Sequence, residues 1–247
     1  MDYRKAASET IGGMAEDPVL LITGASSGIG AATARAAAAS HRLVLAARRR
    51  EPLAALAEEL GGPERAIAVC CDVTEWDQVE AMAATALDAF GRIDAVFANA
   101  GFGATRGFLE ESPEHWRAMV LTNVYGVGLT IRATLPHLLE RGDGHFIVTS
   151  SVAGRQALPG SLYSATKWAA TAIGEALRAE LRQMHENDGI KVTLIEPGMV
   201  DTPFFDNRPG KWALQDNDIA RAVIYALEQP ANVDVNEILI RPTGRPA

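Results

Sequence analysis

The chain contains 247 residues, of which 48% are hydrophobic and 22% are charged, and its formal net charge at pH 7 is −8. This composition excludes an intrinsically disordered chain and a small disulfide-stapled domain, and the negative charge argues against a nucleic-acid partner. The two cysteines, Cys70 and Cys71, are sequence neighbours that cannot close a loop, which favours a reducing compartment.

Residues 1–17 are polar and lack the apolar segment of a signal peptide, so we expect a flexible N-terminal extension in which Met14 is an alternative start. The sequence has no run of about eighteen apolar residues, which predicts no membrane partner. The histidines are scattered and predict no metal site. We therefore expect a soluble, cytoplasmic protein.

From residue 18 onward, short apolar or β-branched runs alternate with longer alanine-rich stretches. The runs predict seven strands: Val19–Thr23, Leu43–Ala47, Ala66–Cys70, Ala95–Ala98, Phe146–Ser150, Val192–Ile195 and Ile238–Ile240. The stretches predict helices near residues 28–40, 51–60, 75–90, 113–140, 161–187 and 217–229. This alternation is typical of an α/β, doubly wound, Rossmann-type fold, with a parallel seven-stranded sheet and helices on both faces. No linker interrupts it, so we predict a single dinucleotide-binding and catalytic domain over residues 18–247.

A glycine-rich turn, Gly24-Ala25-Ser26-Ser27-Gly28-Ile29-Gly30, follows the first predicted strand and opens a helix. Glycines permit a tight turn and close approach of the backbone to a pyrophosphate, and the helix N-terminus adds free N–H groups. The spacing differs from the G-x-G-x-x-G fingerprint, and the glycines could serve only to turn the chain. Their position favours a dinucleotide site.

The end of the second strand predicts which dinucleotide binds. The strand is followed by Arg48-Arg49-Arg50, with no carboxylate before Glu51. A carboxylate here would bind a ribose 2′-OH, whereas a guanidinium suits a 2′-phosphate. We predict NADP(H) rather than NAD(H), with Arg48 at the 2′-phosphate; the alternative is a solvated basic loop.

Tyr163 and Lys167 are four residues apart in the longest predicted helix, so both side chains lie on one face. A phenol has a pKa of about 10, which a neighbouring ammonium and an oxidised nicotinamide would lower. Proton exchange with an alcohol oxygen then becomes feasible near neutral pH. This spacing alone is weak evidence, because many helices contain it.

Taken together, these motifs resemble those of the short-chain dehydrogenase/reductase family, in its compact single-domain branch. The similarity covers about residues 18–243, with the motifs in the family's order: Thr23–Gly30, Asp72, Asn99-Ala100-Gly101, Asn123, Ser150-Ser151, Tyr163 with Lys167, and Pro197-Gly198.

The resemblance implies a role for each matching residue. Tyr163 would donate or accept the proton, Lys167 would lower its pKa and hold the nicotinamide ribose, and Asn123 would hold a water of the proton relay. A serine would orient the substrate oxygen. The implied cofactor contacts, besides Arg48, Tyr163 and Lys167, are Gly24, Ser26, Ser27, Gly28, Ile29 and Gly30 at the phosphates, Asp72 and Val73 at the adenine, Asn99, Ala100 and Gly101 at the adenosine ribose, and Pro197, Gly198 and Thr202 at the nicotinamide. Without the resemblance, Asp72 could be a turn residue and Asn123 a buried helix residue.

The chain departs from the family pattern in two places. Ala98 replaces the first of two asparagines and leaves Asn99 in place. The family normally has twelve residues between serine and tyrosine; Ser150 satisfies this count, whereas Ser151, which matches by local context, leaves eleven. Because successive strand side chains point in opposite directions, only one serine can reach the substrate. We favour Ser151.

Beyond Ser151, the substrate is expected to contact Ala153, Leu158, Phe204 and Phe205, with Phe102, Arg106 and Trp212 as further walls of a mainly apolar pocket. The aromatic rings could equally be ordinary core.

The expected function is NADP-dependent hydride transfer with a carbonyl or secondary alcohol. A non-catalytic dinucleotide-binding sensor or scaffold is the alternative, although such a protein would be expected to lose Tyr163 or Lys167. The resemblance also implies a homodimer or homotetramer that pairs through helices 113–140 and 161–187.

Overall fold

The computed structural model describes residues 17–204, 209–210 and 212–243. Nine strands are formed in this part of the chain: β1 Val19–Thr23, β2 Arg42–Ala47, β3 Ala66–Cys70, β4 Ala95–Ala98, β5 Gly144–Thr149, β6 Ile190–Pro197, β7 Val200–Asp201, β8 Leu214–Gln215 and β9 Glu237–Ile240. Its α-helices are α1 Gly28–Ala37, α2 Arg50–Glu59, α3 Trp76–Phe90, α4 Pro113–Val120, α5 Gly126–Arg141, α6 Leu162–Gln183 and α7 Asp216–Leu227.

Seven of the strands form one parallel sheet in the order β3-β2-β1-β4-β5-β6-β9. The side chains of β1 alternate between two apolar clusters, since Val19 and Leu21 pack on one face and Leu20 and Ile22 on the other. Helices α3, α5 and α6 cover the first face, and α1, α2 and α7 cover the second. The predicted doubly wound α/β fold is therefore confirmed.

The sheet order positions the site. From β1 the chain proceeds outward through β2 and β3, and then returns to the other side of β1 to form β4. The loops after β1 and β4 therefore diverge and leave a crevice at the carboxyl ends of the strands, which is where ligands bind in open α/β sheets.

The predicted helices over 113–140 and 161–187 both differ from the observed ones. A π-helical turn over Leu121–Tyr125 separates α4 from α5 and contains Asn123. Helix α6 ends at Gln183, because Glu186 takes a positive φ of 49° and the side chain of Asn187 accepts hydrogen bonds from the next backbone N–H groups, at Gly189 and Ile190.

The sequence did not predict the β7–β8 pair, whose strands are two residues long and too short to show a period.

The segment Pro113–Arg141 is long and apolar enough to cross a membrane by length and composition alone, but half of its apolar window is buried inside the protein. Such burial is typical of a helix that covers a sheet. The expected N-terminal extension lies outside the described residues except for Asp17, which pairs with Arg65.

Candidate active site

The glycine turn between β1 and α1 leaves no room for side chains. Gly24 has a φ of +69°, and a Cβ there would lie 2.9 Å from the Cα of Ala100. A Cβ on Gly30 would overlap the carbonyl oxygen of Gly24. Within the described residues no side chain caps the N-terminus of α1, and its first turn has no acidic residue. The turn therefore presents free backbone N–H groups and a partial positive charge, which suit a diphosphate.

Two arginines extend this turn toward the end of β2. The Nη2 atom of Arg49 donates hydrogen bonds to the hydroxyls of Ser26 at 3.0 Å and Ser27 at 2.6 Å. The exposed side chains of Arg48 and Arg49 both line the cleft. Sequence reasoning selected Arg48 and did not single out Arg49. Three consecutive arginines give no signal that distinguishes the one facing the turn.

The end of β4 is tied to its neighbours by Asn99. Its backbone N–H donates to the hydroxyl of Thr23 at 3.0 Å, its side-chain Nδ2 donates to the Thr23 carbonyl at 3.2 Å, and its Oδ1 accepts from Thr149 at 3.1 Å. Asn99 thus joins three adjacent strand ends, and Ala100 and Gly101 follow it along the cleft.

Asp72 and Val73, which follow β3, also line the cleft. Asp72 closes a turn by accepting hydrogen bonds from the backbone and hydroxyl of Thr74 at 3.0 and 2.9 Å.

The wall of the cleft after β6 is lined by Pro197, Gly198 and Thr202. Their loop is fixed by the N–H of Gly198, which donates to the carbonyl of Ile240 at 2.7 Å.

Tyr163 and Lys167 lie side by side in the first turns of α6. The Nζ atom of Lys167 lies 5.7 Å from the centre of the Tyr163 ring and donates to the carbonyl of Thr149 at 2.9 Å. Lys167 is only 4% exposed, and burial lowers its pKa to about 8. Burial also raises the pKa of Tyr163 to about 12, against the opposing effect of a hydrogen bond with Ser151. The expected lowering of the Tyr163 pKa by Lys167 is therefore not produced by the protein groups alone.

The two candidate serines point to different sides of the chain. The hydroxyl of Ser151 donates to the carbonyl of Pro197 at 3.2 Å and accepts from the N–H of Ala153 at 3.1 Å. It lies close enough to the phenol of Tyr163 to oppose the rise of its pKa. The hydroxyl of Ser150 instead donates to the carbonyl of Lys167 at 3.0 Å, behind the first turns of α6. The structure therefore brings Ser151, not Ser150, to the phenol.

Asn123 lies in the π-helical turn and is 1% exposed. Its Oδ1 accepts from the backbone N–H of Phe102 at 3.0 Å, and its Nδ2 donates to the carbonyl of Phe102 at 2.9 Å and the hydroxyl of Thr166 at 3.1 Å. Its side chain thus holds the start of the loop after β4 against α6, next to Lys167.

Aromatic and apolar side chains form the wall opposite Tyr163. The rings of Phe204 and Tyr163 lie 5.7 Å apart in an edge-to-face arrangement. The cleft is also lined by Ala153, Leu158, Arg106 and Trp212. Phe205, which the sequence analysis also placed here, lies outside the described residues.

An ion-pair network, which sequence reasoning missed, supports this wall from behind. Arg155 donates from Nε to both carboxylate oxygens of Glu196, at 2.8 and 2.9 Å, and also pairs with Glu237. Glu196 is 1% exposed and its burial raises its pKa. Because Arg155 follows the turn of Ser151 and Glu196 precedes Pro197, the network joins the two segments that flank the phenol. A lone carboxylate in an apolar strand was the signal that could have revealed it.

These elements enclose one cleft of about 730 Å³ that runs from the arginines after β2, past the glycine turn, to Tyr163. This volume falls within the usual range for ligand sites, roughly 300–1,000 Å³. The crowded glycines, the uncapped helix and the arginines suit the phosphates of a dinucleotide.

Comparison with known proteins agrees with this geometry. A family model described as short chain dehydrogenase matches residues 18–211. An uncharacterized oxidoreductase of Staphylococcus haemolyticus is 40% identical over 228 residues, which cover 91% of this chain and 96% of that protein.

Two solved structures illustrate the fold similarity. An alcohol dehydrogenase from the archaeon Thermococcus sibiricus, complexed with 5-hydroxy-NADP, has a TM-score of 0.83 and 34% identity, and the match covers 94% of this chain and 100% of that one. A 3-ketoacyl-(acyl-carrier-protein) reductase from Brucella melitensis, complexed with NADH, has a TM-score of 0.81 and 28% identity, with coverage of 90% and 95%.

Proposed function

The chain belongs to the short-chain dehydrogenase family of oxidoreductases, and we propose that it transfers a hydride between NADP(H) and a carbonyl or secondary alcohol. The observation that carries the proposal is the convergence of Tyr163, Ser151 and Lys167 at one end of the cleft that begins at the glycine turn. Residues 18–247 would form the dinucleotide-binding and catalytic unit, after an extension over residues 1–17.

The residues present fit the dinucleotide along the whole cleft. The backbone of residues 24–30 would hold the diphosphate, Asp72 and Val73 the adenine, and Asn99 to Gly101 the adenosine ribose. Lys167 would hold the nicotinamide ribose, and Pro197, Gly198 and Thr202 would flank the nicotinamide. When bound, the cofactor supplies or accepts the hydride.

Side chains of the protein would carry out the proton transfer. The phenol of Tyr163 would donate its proton to the substrate oxygen during reduction and accept one during oxidation, while the Ser151 hydroxyl fixes that oxygen by a hydrogen bond. Since burial outweighs the opposing effect of Ser151 and raises the pKa of Tyr163 to about 12, the phenol is well suited to remain protonated until the substrate binds. The ammonium of Lys167, together with the positive charge of an oxidised nicotinamide, would stabilise the phenolate. Asn123 would hold a water that connects Lys167 to solvent.

The preference for NADP(H) over NAD(H) rests on the arginines after β2. Arg48 and Arg49 line the cleft where the 2′-phosphate would lie, and Arg49 already bonds to both serines of the turn. The phosphate would accept these charge-assisted bonds in place of the serine hydroxyls. The structural neighbours hold cofactors of both kinds, so the arginines alone support the preference.

We also propose that the protein self-associates and that it is cytoplasmic. Tyr125 and Trp168 are about half exposed, at 50% and 49%, on the segments 113–140 and 161–187 through which we expect a homodimer or homotetramer to form. Exposed aromatic side chains are enriched at such interfaces.

A panel of ketones, aldehydes and secondary alcohols, read at the NADPH absorbance and repeated with NADH, tests the proposed function. We expect turnover with NADPH to exceed turnover with NADH. Tight dinucleotide binding without turnover of any panel member would instead favour the alternative of a sensor or scaffold protein.

A further inference from the structure

Arg106 places a cation in a wall that is otherwise expected to be mainly apolar. Its side chain is exposed and lines the cleft. Its loop lies near Phe204, since a Cβ on Gly103 would lie 2.8 Å from that ring, and it is bonded to the segment just before Tyr163. The guanidinium of Arg106 forms no hydrogen bond or ion pair with any residue among 17–204, 209–210 and 212–243. The nearby carboxylate of Glu111 accepts instead from the backbone of Thr105 at 3.2 Å and of Ser112 at 3.1 Å.

The loop that carries Arg106 is held in place on both sides. The side chain of His115 hydrogen-bonds the carbonyl of Gly103 at 2.9 Å, and the Thr105 N–H is held by Glu111. The N–H of Gly107 donates to the carbonyl of Gly160 at 2.7 Å. Gly160 lies three residues before Tyr163, so this bond fixes the backbone next to Arg106 to the segment that begins α6. A preorganised loop binds a ligand at a lower entropic cost than a mobile one.

The charge of the cleft is opposite to that of the chain. In the described part of the protein, five cationic side chains line it, Arg48, Arg49, Arg106, Lys167 and Arg241, against the single carboxylate of Asp72. The formal net charge of the chain is −8. Arg48 and Arg49 lie at the glycine turn, and Lys167 is buried beside Tyr163. These three are accounted for by the proposed cofactor. Arg241 follows β9, and its backbone lies beside Gly198 in the wall expected to flank the nicotinamide, whereas Arg106 lies in the loop that is bonded to the segment before α6.

We propose that the substrate carries a carboxylate, which Arg106 binds while Tyr163 exchanges a proton with a neighbouring carbonyl or hydroxyl oxygen. This inference rests on the proposed function and names its substrate class. A planar guanidinium binds a carboxylate through two parallel hydrogen bonds and neutralises its single charge. A phosphate group carries about −1.5 to −2 charges, which one guanidinium does not neutralise. The apolar surfaces of Leu158 and Phe204 would contact the carbon chain between the two polar ends.

Matched pairs of 3-hydroxy acids and their methyl esters test the proposal, because the two members of a pair differ only in the anionic group. For the wild type we expect kcat/KM to favour the acid by about 10-fold or more. The Arg106→Gln variant should lose about 10- to 100-fold in kcat/KM on the acid, the usual size of a charge-assisted hydrogen bond, and less than about twofold on the ester. The loss should lie mainly in KM, since the contact is made equally in the ground and transition states.

Two further variants control for charge. Arg106→Lys keeps the charge but loses the planar fork, so it should recover part of the preference for the acid. Arg117→Gln removes an exposed charge on α4 outside the cleft and should leave both substrates unchanged. Equal turnover of acid and ester by the wild type, or equal losses on both in Arg106→Gln, would overturn the proposal while leaving the proposed function intact. Turnover of neither member of any pair, nor of the neutral panel above, would overturn the proposed function and this inference with it.

Discussion

The buried ammonium of Lys167 should make the stability of this protein depend on pH in a specific way. Burial lowers its pKa from 10.5 to about 8, a shift that corresponds to about 3 kcal/mol of destabilisation while the group is charged in both the folded and unfolded states. The hydrogen bond from its Nζ to the Thr149 carbonyl recovers only part of this cost. Lys167→Met should therefore be about as stable as the wild type at pH 7, or more stable, although it should lose activity.

The direction of the pH effect follows from proton binding. Between pH 8 and about 10 the unfolded chain keeps a proton on Lys167 that the folded chain has released, so the free energy of unfolding rises with pH. From pH 7 to 9.5 the wild type should gain about 2 kcal/mol relative to Lys167→Met. Other groups that titrate in this range are present in both proteins, and their effects cancel in the difference.

Urea unfolding of both proteins at pH 7 and 9.5, without dinucleotide, measures this difference directly. A larger gain for the wild type than for Lys167→Met would agree with a buried, charged lysine. An equal pH response of the two proteins would show that Lys167 titrates as an ordinary exposed lysine, and the reasoning would be refuted.

Two further predictions concern the cofactor and the serines. Arg49→Gln and Arg48→Gln should each weaken NADPH binding by about 10-fold or more and NADH binding far less, as titration of both dinucleotides would measure; equal losses would place the 2′-phosphate elsewhere. Ser151→Ala should lower kcat by about 10²- to 10³-fold. Ser150→Ala, which removes hydrogen bonds behind α6, should instead lower the free energy of unfolding by about 1 kcal/mol and leave kcat nearly unchanged. The reverse result in steady-state kinetics would exchange the roles of the two serines.

The fold could be predicted from the sequence because its signals are local. Runs such as Val19–Thr23 and Ala95–Ala98 are almost entirely apolar, as expected of strands buried on both faces, and the glycine turn follows the first strand. The family motifs then supplied the order of the site residues, and membership of the family is confirmed. Helix ends were less predictable, since the end of α6 depends on how the side chain of Asn187 satisfies backbone groups.

The contacts within the site could not be predicted, because they join residues distant in sequence. The count of residues before Tyr163 favoured Ser150 and the local sequence context favoured Ser151, and only the folded chain shows that the hydroxyl beside the phenol belongs to Ser151. The same limitation applies to the bond from Arg49 to Ser27 and to the pair of Arg155 with Glu196. Sequence patterns identify which residue types meet at an edge of the sheet, whereas the packing of the loops decides which atoms touch.

The most direct test of the proposed mechanism is the Tyr163→Phe variant, because it removes one hydroxyl and changes little else in the shape of the site. We expect kcat to fall by about 10²- to 10⁴-fold, the usual contribution of a general acid or base. The dissociation constant for NADPH should change by less than about twofold. If kcat stays close to that of the wild type while NADPH still binds, the phenol does not carry the proton and the mechanism is wrong.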